Sequence, residues 1–213
     1  MQIELKNIAP KFLEKEKIAN SQVWQKKLFF EKGRKIQIVA PSGSGKTSLI
    51  HFLYGLRNDY AGSIFFNNKN VKDFDNIQLA KMRAIHMSIV FQDLRLFKEH
   101  NTFQNIEIKR ALAPYHSVSQ ISEMAERLGI KNKLTQQAET CSYGEQQRIA
   151  IIRALQQPFD LIVLDEPFSH LDENNSKIAL NLIEEEAAQR NASIILADLH
   201  ELPFFKADTT IYL

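Results

Sequence analysis

The stretch that decides how this chain is read is Ile36-Gln37-Ile38-Val39, running into Ala40-Pro41-Ser42-Gly43-Ser44-Gly45-Lys46-Thr47 and then into the helix-forming residues 48–54 (SLIHFLY). An apolar strand that turns through glycines into a helix N-terminus presents a row of backbone N–H groups, reinforced by the helix dipole, to a polyphosphate. In such a loop Lys46 reaches the β- and γ-phosphates, and the Thr47 hydroxyl is placed to ligate Mg²⁺. The nucleotide-binding candidates are therefore Ser42, Gly43, Ser44, Gly45, Lys46, Thr47 and Ser48. The usual pattern opens on glycine, where this chain has Ala40, a departure that matters only if the position needs positive φ. A plain Gly/Ser connection is the competing reading, and the Lys-Thr pair after a buried strand argues against it.

A second apolar run, residues 161–164 (LIVL), ends in Asp165-Glu166-Pro167. Two adjacent carboxylates beside a core are costly without a cation or a proton to handle. Asp165 fits as the Mg²⁺ partner of the phosphate loop. Glu166, one residue on in an extended stretch, points elsewhere and is placed to accept a proton from an attacking water. A solvated strand edge is the bland alternative.

Working outward, β-type runs occur at residues 2–7, 28–30, 36–39, 63–66, 87–91, 161–164, 194–197 and 209–213, with helix-period segments between them. Four of these runs (IQIV, MSIVF, LIVL and IILA) are nearly all apolar, as central strands of a parallel sheet covered on both faces must be. The predicted fold class is α/β. Between Phe97 and Pro158 the strand signal disappears and helix signals replace it. They include residues 119–128, with Ile121, Met124, Ala125 and Leu128 on one face, and residues 142–155. This pattern predicts one domain over residues 1–213, with an α/β core at 1–97 and 158–213 and a helical subdomain inserted at about 98–157.

The 213 residues are 44% apolar and 24% charged, with only seven Gly and six Pro, which excludes disordered and fibrous classes. A single cysteine, Cys141, excludes an intrachain disulfide and a cysteine metal cluster. No signal-peptide pattern is read at the N-terminus, and no run approaches the ~20 apolar residues needed to span a bilayer. A reducing, cytoplasmic setting is expected, and any membrane address must come from a partner. The net charge of +2 conceals an asymmetry: residues 160–213 hold three Lys/Arg against eleven Asp/Glu, while residues 1–35 hold nine against four. The basic part is scattered rather than striped, so nucleic acid is not the expected partner.

Cys141-Ser142-Tyr143-Gly144-Glu145-Gln146-Gln147-Arg148 resembles the signature segment, LSGGEQQR, of ATP-binding-cassette (ABC) ATPases. The phosphate loop, Phe91-Gln92-Asp93, the signature, Asp165-Glu166 and Ser169-His170-Leu171-Asp172 follow in that family's order, and the match runs over essentially the whole chain. SIVFQDLRLF, TFQNI and EQQRIAIIRAL look like the short bacterial cassettes of exporters, lipoprotein-release and cell-division complexes.

The resemblance implies a P-loop NTPase core with a mostly parallel sheet, an N-terminal antiparallel β subdomain and the inserted helical subdomain. It also implies ATP and Mg²⁺ as ligands, with Thr47, Gln92 and Asp165 around the metal. Glu166, Gln92 and His200 become the catalytic set, and Phe12 the aromatic that stacks on adenine. Ser142, Tyr143, Gly144 and Glu145 would grip the γ-phosphate bound by a second copy, and Asp172 would lie at the interface of that homodimer. A separately encoded transmembrane subunit would hold the pair at the inner face of the membrane and receive motion through Gln92 and the helical subdomain.

Three departures bear on this reading. Tyr143 replaces a glycine, harmlessly if the residue is already helical and at a cost if positive φ is needed. Cys141 replaces leucine, either as a small apolar filler or as a thiol activated by the helix N-terminus. Ungapped alignment of residues 194–213 puts Leu199 where the family has a histidine, with His200 one residue later; either a one-residue shift brings His200 to the γ-phosphate, or the site lacks the group. The rival functions are an ABC ATPase regulating a non-transport membrane complex, a nucleic-acid-associated ABC ATPase, and a nucleotide-binding module with weak or lost hydrolysis.

Overall fold

In a computed structural model that describes residues 1–213, each of the eight β-type runs becomes a strand, with one short strand added. In chain order the strands are β1 (Ile3–Pro10), β2 (Lys27–Phe30), β3 (Lys35–Val39), β4 (Tyr60–Phe66), β5 (Lys69–Asn70), β6 (Met87–Val90), β7 (Leu161–Asp165), β8 (Ser193–Asp198) and β9 (Thr209–Tyr212). The helices are α1 (Lys15–Asn20), α2 (Lys46–Leu53), α3 (Asn76–Ile85), α4 (Thr102–Leu112), α5 (Val118–Arg127), α6 (Tyr143–Leu155) and α7 (Glu173–Gln189).

Five strands form a parallel sheet in the order β6-β7-β8-β3-β9, and four form an antiparallel sheet in the order β2-β1-β4-β5. The central parallel strands show why their sequences are continuously apolar. Ile162 and Leu164 of β7, with Ile194 and Leu196 of β8, enter a core cluster shared with α5, α6 and α7. The alternate residues Leu161, Val163, Ile195 and Ala197 enter a second cluster, shared with α2 and the antiparallel sheet. Successive side chains of a strand point to opposite faces, so nearly every residue is apolar when both faces are covered.

Between β6 and β7 there is no named strand; α4, α5 and α6 fill the interval with two 3-10 turns. Each of these helices starts on a capping box: Asn101 with Gln104, Ser117 with Gln120, and Ser142 with Glu145. Ile121, Met124 and Ala125 are the buried residues of α5, as the periodicity predicts. The last two turns of α6 are buried on all sides, from Ile149 to Leu155. By contrast, α1 and α3 contain no buried residue at all. That absence explains why neither announces itself by an apolar period.

The return from α4 to α5 is fastened to α7 by a buried polar knot. His116 Nε2 lies 2.7 Å from Glu186 Oε2, and Arg190 donates to the same carboxylate and to the Leu155 carbonyl at 3.1 Å. Burial disfavours the Glu186 anion, but the His116 and Arg190 hydrogen bonds outweigh it and hold its pKa below the ordinary 4.5. A depressed carboxylate pKa contributes stability that is complete above the unfolded-state value and is lost as pH falls through the folded-state value. Glu186→Leu would leave His116 and Arg190 buried without their anion. It is expected to lower stability by about 3 kcal/mol at neutral pH, read as a fall in the urea midpoint at unchanged slope. The wild-type advantage over this variant should shrink as the pH is taken below 4.5.

Candidate functional site

The phosphate loop is made by the way β3 hands over to α2. Gly43 stands at φ +77° and Gly45 at φ +100°, the latter as the N-cap of α2 with no side chain capping the helix. The first-turn N–H groups of α2 are thus left for an outside acceptor. Gly45 is required twice over, because its conformation is left-handed and a Cβ there would meet Cζ2 of Trp24 at 2.9 Å. Trp24 is fully buried, and its Nε1 donates to the Ser44 carbonyl at 3.1 Å. The indole therefore shapes the loop from beneath, while the buried Ser44 Oγ has no partner. Ala40 is buried and does not adopt positive φ, so replacing the usual glycine introduces no strain.

A cleft of about 290 Å³ opens over the loop, lined by Ser42, Gly43, Gly45, Lys46, Thr47 and Ser48 together with Phe12, Gln92, Glu166 and Leu199. An adjoining cleft of about 350 Å³ shares Thr47 and Gln92 and adds Asp165 and Tyr143. Phe12 is exposed at the rim, with the Arg57 guanidinium 5.1 Å from its ring centroid. Arg57 is itself held by Asp59, which its Nε reaches at 2.9 Å.

The charges concentrate at the ends of β7 and α2. Lys46 Nζ donates to Asp165 Oδ1 at 2.8 Å and also to Glu166 Oε1, and all three side chains are buried. Burial works against the Lys46 cation, yet its hydrogen bonds to Asp165 and Glu166 outweigh that and raise its pKa. The Asp165 pKa is also raised, because burial exceeds the pull of Lys46 and the neighbouring Glu166 adds repulsion. Asp198, at the end of β8, is pushed up as well by burial and by the nearby Glu166 charge. Glu166 sits at φ +47°, a left-handed conformation that costs a non-glycine residue about 1–2 kcal/mol.

These donors suit a magnesium–nucleotide complex. Positive-φ glycines and an uncapped helix offer N–H groups to phosphate, and Thr47 and Asp165 supply oxygen ligands of the kind Mg²⁺ takes beside phosphate oxygens. Nowhere do three His, Cys, Asp or Glu side chains converge to hold a metal by themselves.

The signature segment stands at the start of α6. Ser142 is its N-cap: Ser142 Oγ accepts from Glu145 N at 3.3 Å, and Glu145 Oε2 accepts from Ser142 N at 2.7 Å. Tyr143 is the first helical residue, without positive φ, so the substitution for glycine costs no backbone strain. Its hydroxyl donates to the Gln92 carbonyl at 3.3 Å. Cys141 is buried, and burial pushes its thiol pKa up, which leaves the apolar-filler reading and removes the activated-thiol one. Asp172 is exposed and caps α7, accepting from Asn175 N at 2.8 Å.

His200 is not brought to the cleft. Its side chain is exposed in the bend after β8, and its carbonyl accepts from Gln37 Nε2 at 3.4 Å. Leu199 lines the phosphate cleft instead, with its N–H bonded to Asp198 Oδ1 at 2.7 Å. Leu199 thus occupies the cleft wall, and His200 lies beside it in the exposed bend. Trp24 and Arg57 escaped sequence reasoning because neither belongs to a motif, and Gln147, although inside the signature-like segment, carried no assigned role; Trp24 and Gln147 act through contacts between separate elements, and Arg57 through its approach to Phe12.

Trp24 is the sole tryptophan and touches the loop directly. Nucleotide binding is therefore expected to change its intrinsic fluorescence saturably. Trp24→Phe, which loses the bond to Ser44, should weaken ATP binding roughly tenfold as judged by a fluorescent nucleotide analogue; unchanged emission through an ATP titration would count against the buttress.

The family model for the ABC transporter matches residues 25–169. The chain is 34% identical over 84% of its length, and 79% of the relative's, to the lipoprotein-releasing system ATP-binding protein LolD of Buchnera aphidicola subsp. Schizaphis graminum. It is 30% identical over 81% of its length to the macrolide export ATP-binding/permease protein MacB of Shewanella sp., of which it spans 27%. Its backbone superposes on the dimeric structure of a bacterial ABC transporter cassette with a TM-score of 0.82, covering 99% of this chain and 94% of that one at 21% identity, a likeness of fold. The chain belongs to the ABC transporter family, as one of its ATP-binding, ATP-hydrolysing cassettes.

Proposed function

We propose that this chain binds Mg·ATP in the phosphate loop, pairs with a second copy around two nucleotides, and uses the cycle of hydrolysis to move a separately encoded membrane protein. The observation that carries this reading is the Lys46–Asp165–Glu166 cluster on the floor of the loop. ATP competes for the Lys46 amine, and its withdrawal leaves Asp165 for the metal and Glu166 as an unpaired carboxylate beside the γ-phosphate. Bound Mg²⁺ supplies neutralisation of charge on the β- and γ-phosphate oxygens. Glu166 then accepts the proton of the attacking water, while the loop N–H groups and Lys46 stabilise charge on the transferred group. Phe12, backed by Arg57, receives the adenine ring.

In the same reading, Ser142, Tyr143, Gly144 and Glu145 face the nucleotide of the second copy and Asp172 lies near the interface. Gln92 and the helical region 98–157 carry motion to the membrane partner. No helix of the chain is long and apolar enough to cross a membrane. The relatives named as the ATP-binding protein of a lipoprotein-releasing system support a peripheral role on a release or export machine. The apolar side chain of Leu199 favours a second emphasis, a cassette whose hydrolysis is slow because no imidazole contacts the γ-phosphate.

Steady-state hydrolysis with gel filtration in ATP tests the reading. Lys46→Ala is expected to abolish ATP binding. Glu166→Gln should lower kcat at least ~100-fold while retaining ATP and trapping a dimer. Leu199→His should raise kcat about tenfold, whereas His200→Ala should stay within about twofold of wild type. Wild-type turnover in Glu166→Gln would remove the base from this scheme.

A further inference from the structure

Glu166 is held in its left-handed conformation by more than its own turn. Its N–H donates to the Ala197 carbonyl of β8 at 2.9 Å, and its carbonyl accepts from Gln147 Nε2 at 3.2 Å. Gln147 lies in α6 with only 1% of its surface exposed. The same Nε2 donates to Ser169 Oγ at 3.0 Å, and Gln147 Oε1 accepts from the His170 N–H at 3.1 Å. A carboxamide is the side-chain group that offers two donors and an acceptor together, and here both ends of it are used to clasp the two ends of the 166–170 turn.

The surroundings show that α6 is fitted to this turn. A Cβ at Gly144 would lie 2.8 Å from the His170 carbonyl oxygen, so the helix approaches the turn as closely as glycine allows. The Tyr143 ring packs on the His170 ring with centroids 4.1 Å apart. Burying a polar amide this deeply is unfavourable unless all its bonds are made, and these are made to the segment that carries Glu166.

We infer that Gln147 is a positioning residue for ATP hydrolysis: its carboxamide fixes the left-handed turn that directs the Glu166 carboxylate into the phosphate cleft, and ties the backbone of that turn to the signature end of α6. The inference rests on Glu166 acting as the base. Gln147 lines neither cleft over the phosphate loop; it acts through Glu166, so its loss should appear in kcat and not in ATP affinity.

Two substitutions test this in the full-length chain with Mg·ATP. Gln147→Met keeps the volume and removes every hydrogen bond, while Gln147→Glu keeps an acceptor for His170 and loses both donors. Each is expected to lower kcat about 10- to 100-fold with KM for ATP within about twofold. In a Glu166→Gln background, adding Gln147→Met should change the residual single-turnover rate by less than about twofold, because the group it positions is already gone. Ser169→Ala, which deletes one exposed partner and threatens folding least, should lower kcat about two- to fivefold at unchanged KM. An equal loss in both backgrounds, a loss confined to KM, or wild-type kcat in Gln147→Glu and Ser169→Ala overturns the assignment. Normal turnover in Gln147→Met beside an inactive Glu166→Gln would overturn the positioning role alone; normal turnover in Glu166→Gln would overturn the base.

Discussion

Two-sided burial of the central strands is the constraint from which the rest of this molecule follows. β7 and β8 each send alternate residues into two separate cores, so neither face of the parallel sheet is open to water. A parallel sheet needs long crossovers, and the crossovers lay helices on its faces. All turns that leave the carboxyl ends of the strands then collect along one edge. That edge receives the phosphate loop after β3, Gln92 after β6, Asp165-Glu166 at the end of β7 and Leu199 after β8. Residues more than a hundred positions apart meet there because the strands that carry them lie side by side or one strand apart in the sheet.

Charge at that edge is arranged in short supply. A single lysine serves two buried carboxylates, with a third acid, Asp198, close enough to feel Glu166. Such a site is poised to exchange partners when a polyanion and a divalent cation arrive together, since the nucleotide takes the lysine and the metal takes the aspartate. The backbone adds to this poise. Gly45 must be glycine because indole lies against it, and Glu166 is kept left-handed by bonds from β8 and α6. Both ends of the site are shaped by contacts from beneath rather than by the motif residues themselves.

Much of this was legible in the residues. Nearly continuous apolar runs marked β3, β6, β7 and β8, because a strand covered on both faces tolerates few polar positions, and Gln37 and Ser88 there each bond a backbone carbonyl. The Gly-Ser-Gly-Lys-Thr turn and the Asp-Glu pair marked their chemistry through residue types that are costly in any other setting. The helices α1 and α3 were not legible, since a helix whose apolar residues are only partly buried carries a weak period. Trp24 was silent, an indole before β2 with no local signal, and Gln147, although inside the signature-like segment, gave no sign of its bond to Glu166; both contacts join separate elements.

By itself the sequence determined the fold class, the phosphate loop, the paired carboxylates and the start of α6, all of which depend on local patterning and on residue chemistry that survives any packing. Only the tertiary structure decided the register after β8. The chain offers Leu199 and His200 in succession, and nothing local distinguishes them. Pairing of β8 with β3, and the Asp198 side chain bonding the next backbone N–H, turn Leu199 toward the loop and leave His200 in solvent. Tyr143 was decided in the same way. Whether a bulky residue could replace glycine there depended on the helix beginning at that residue, which the Ser142–Glu145 capping box sets.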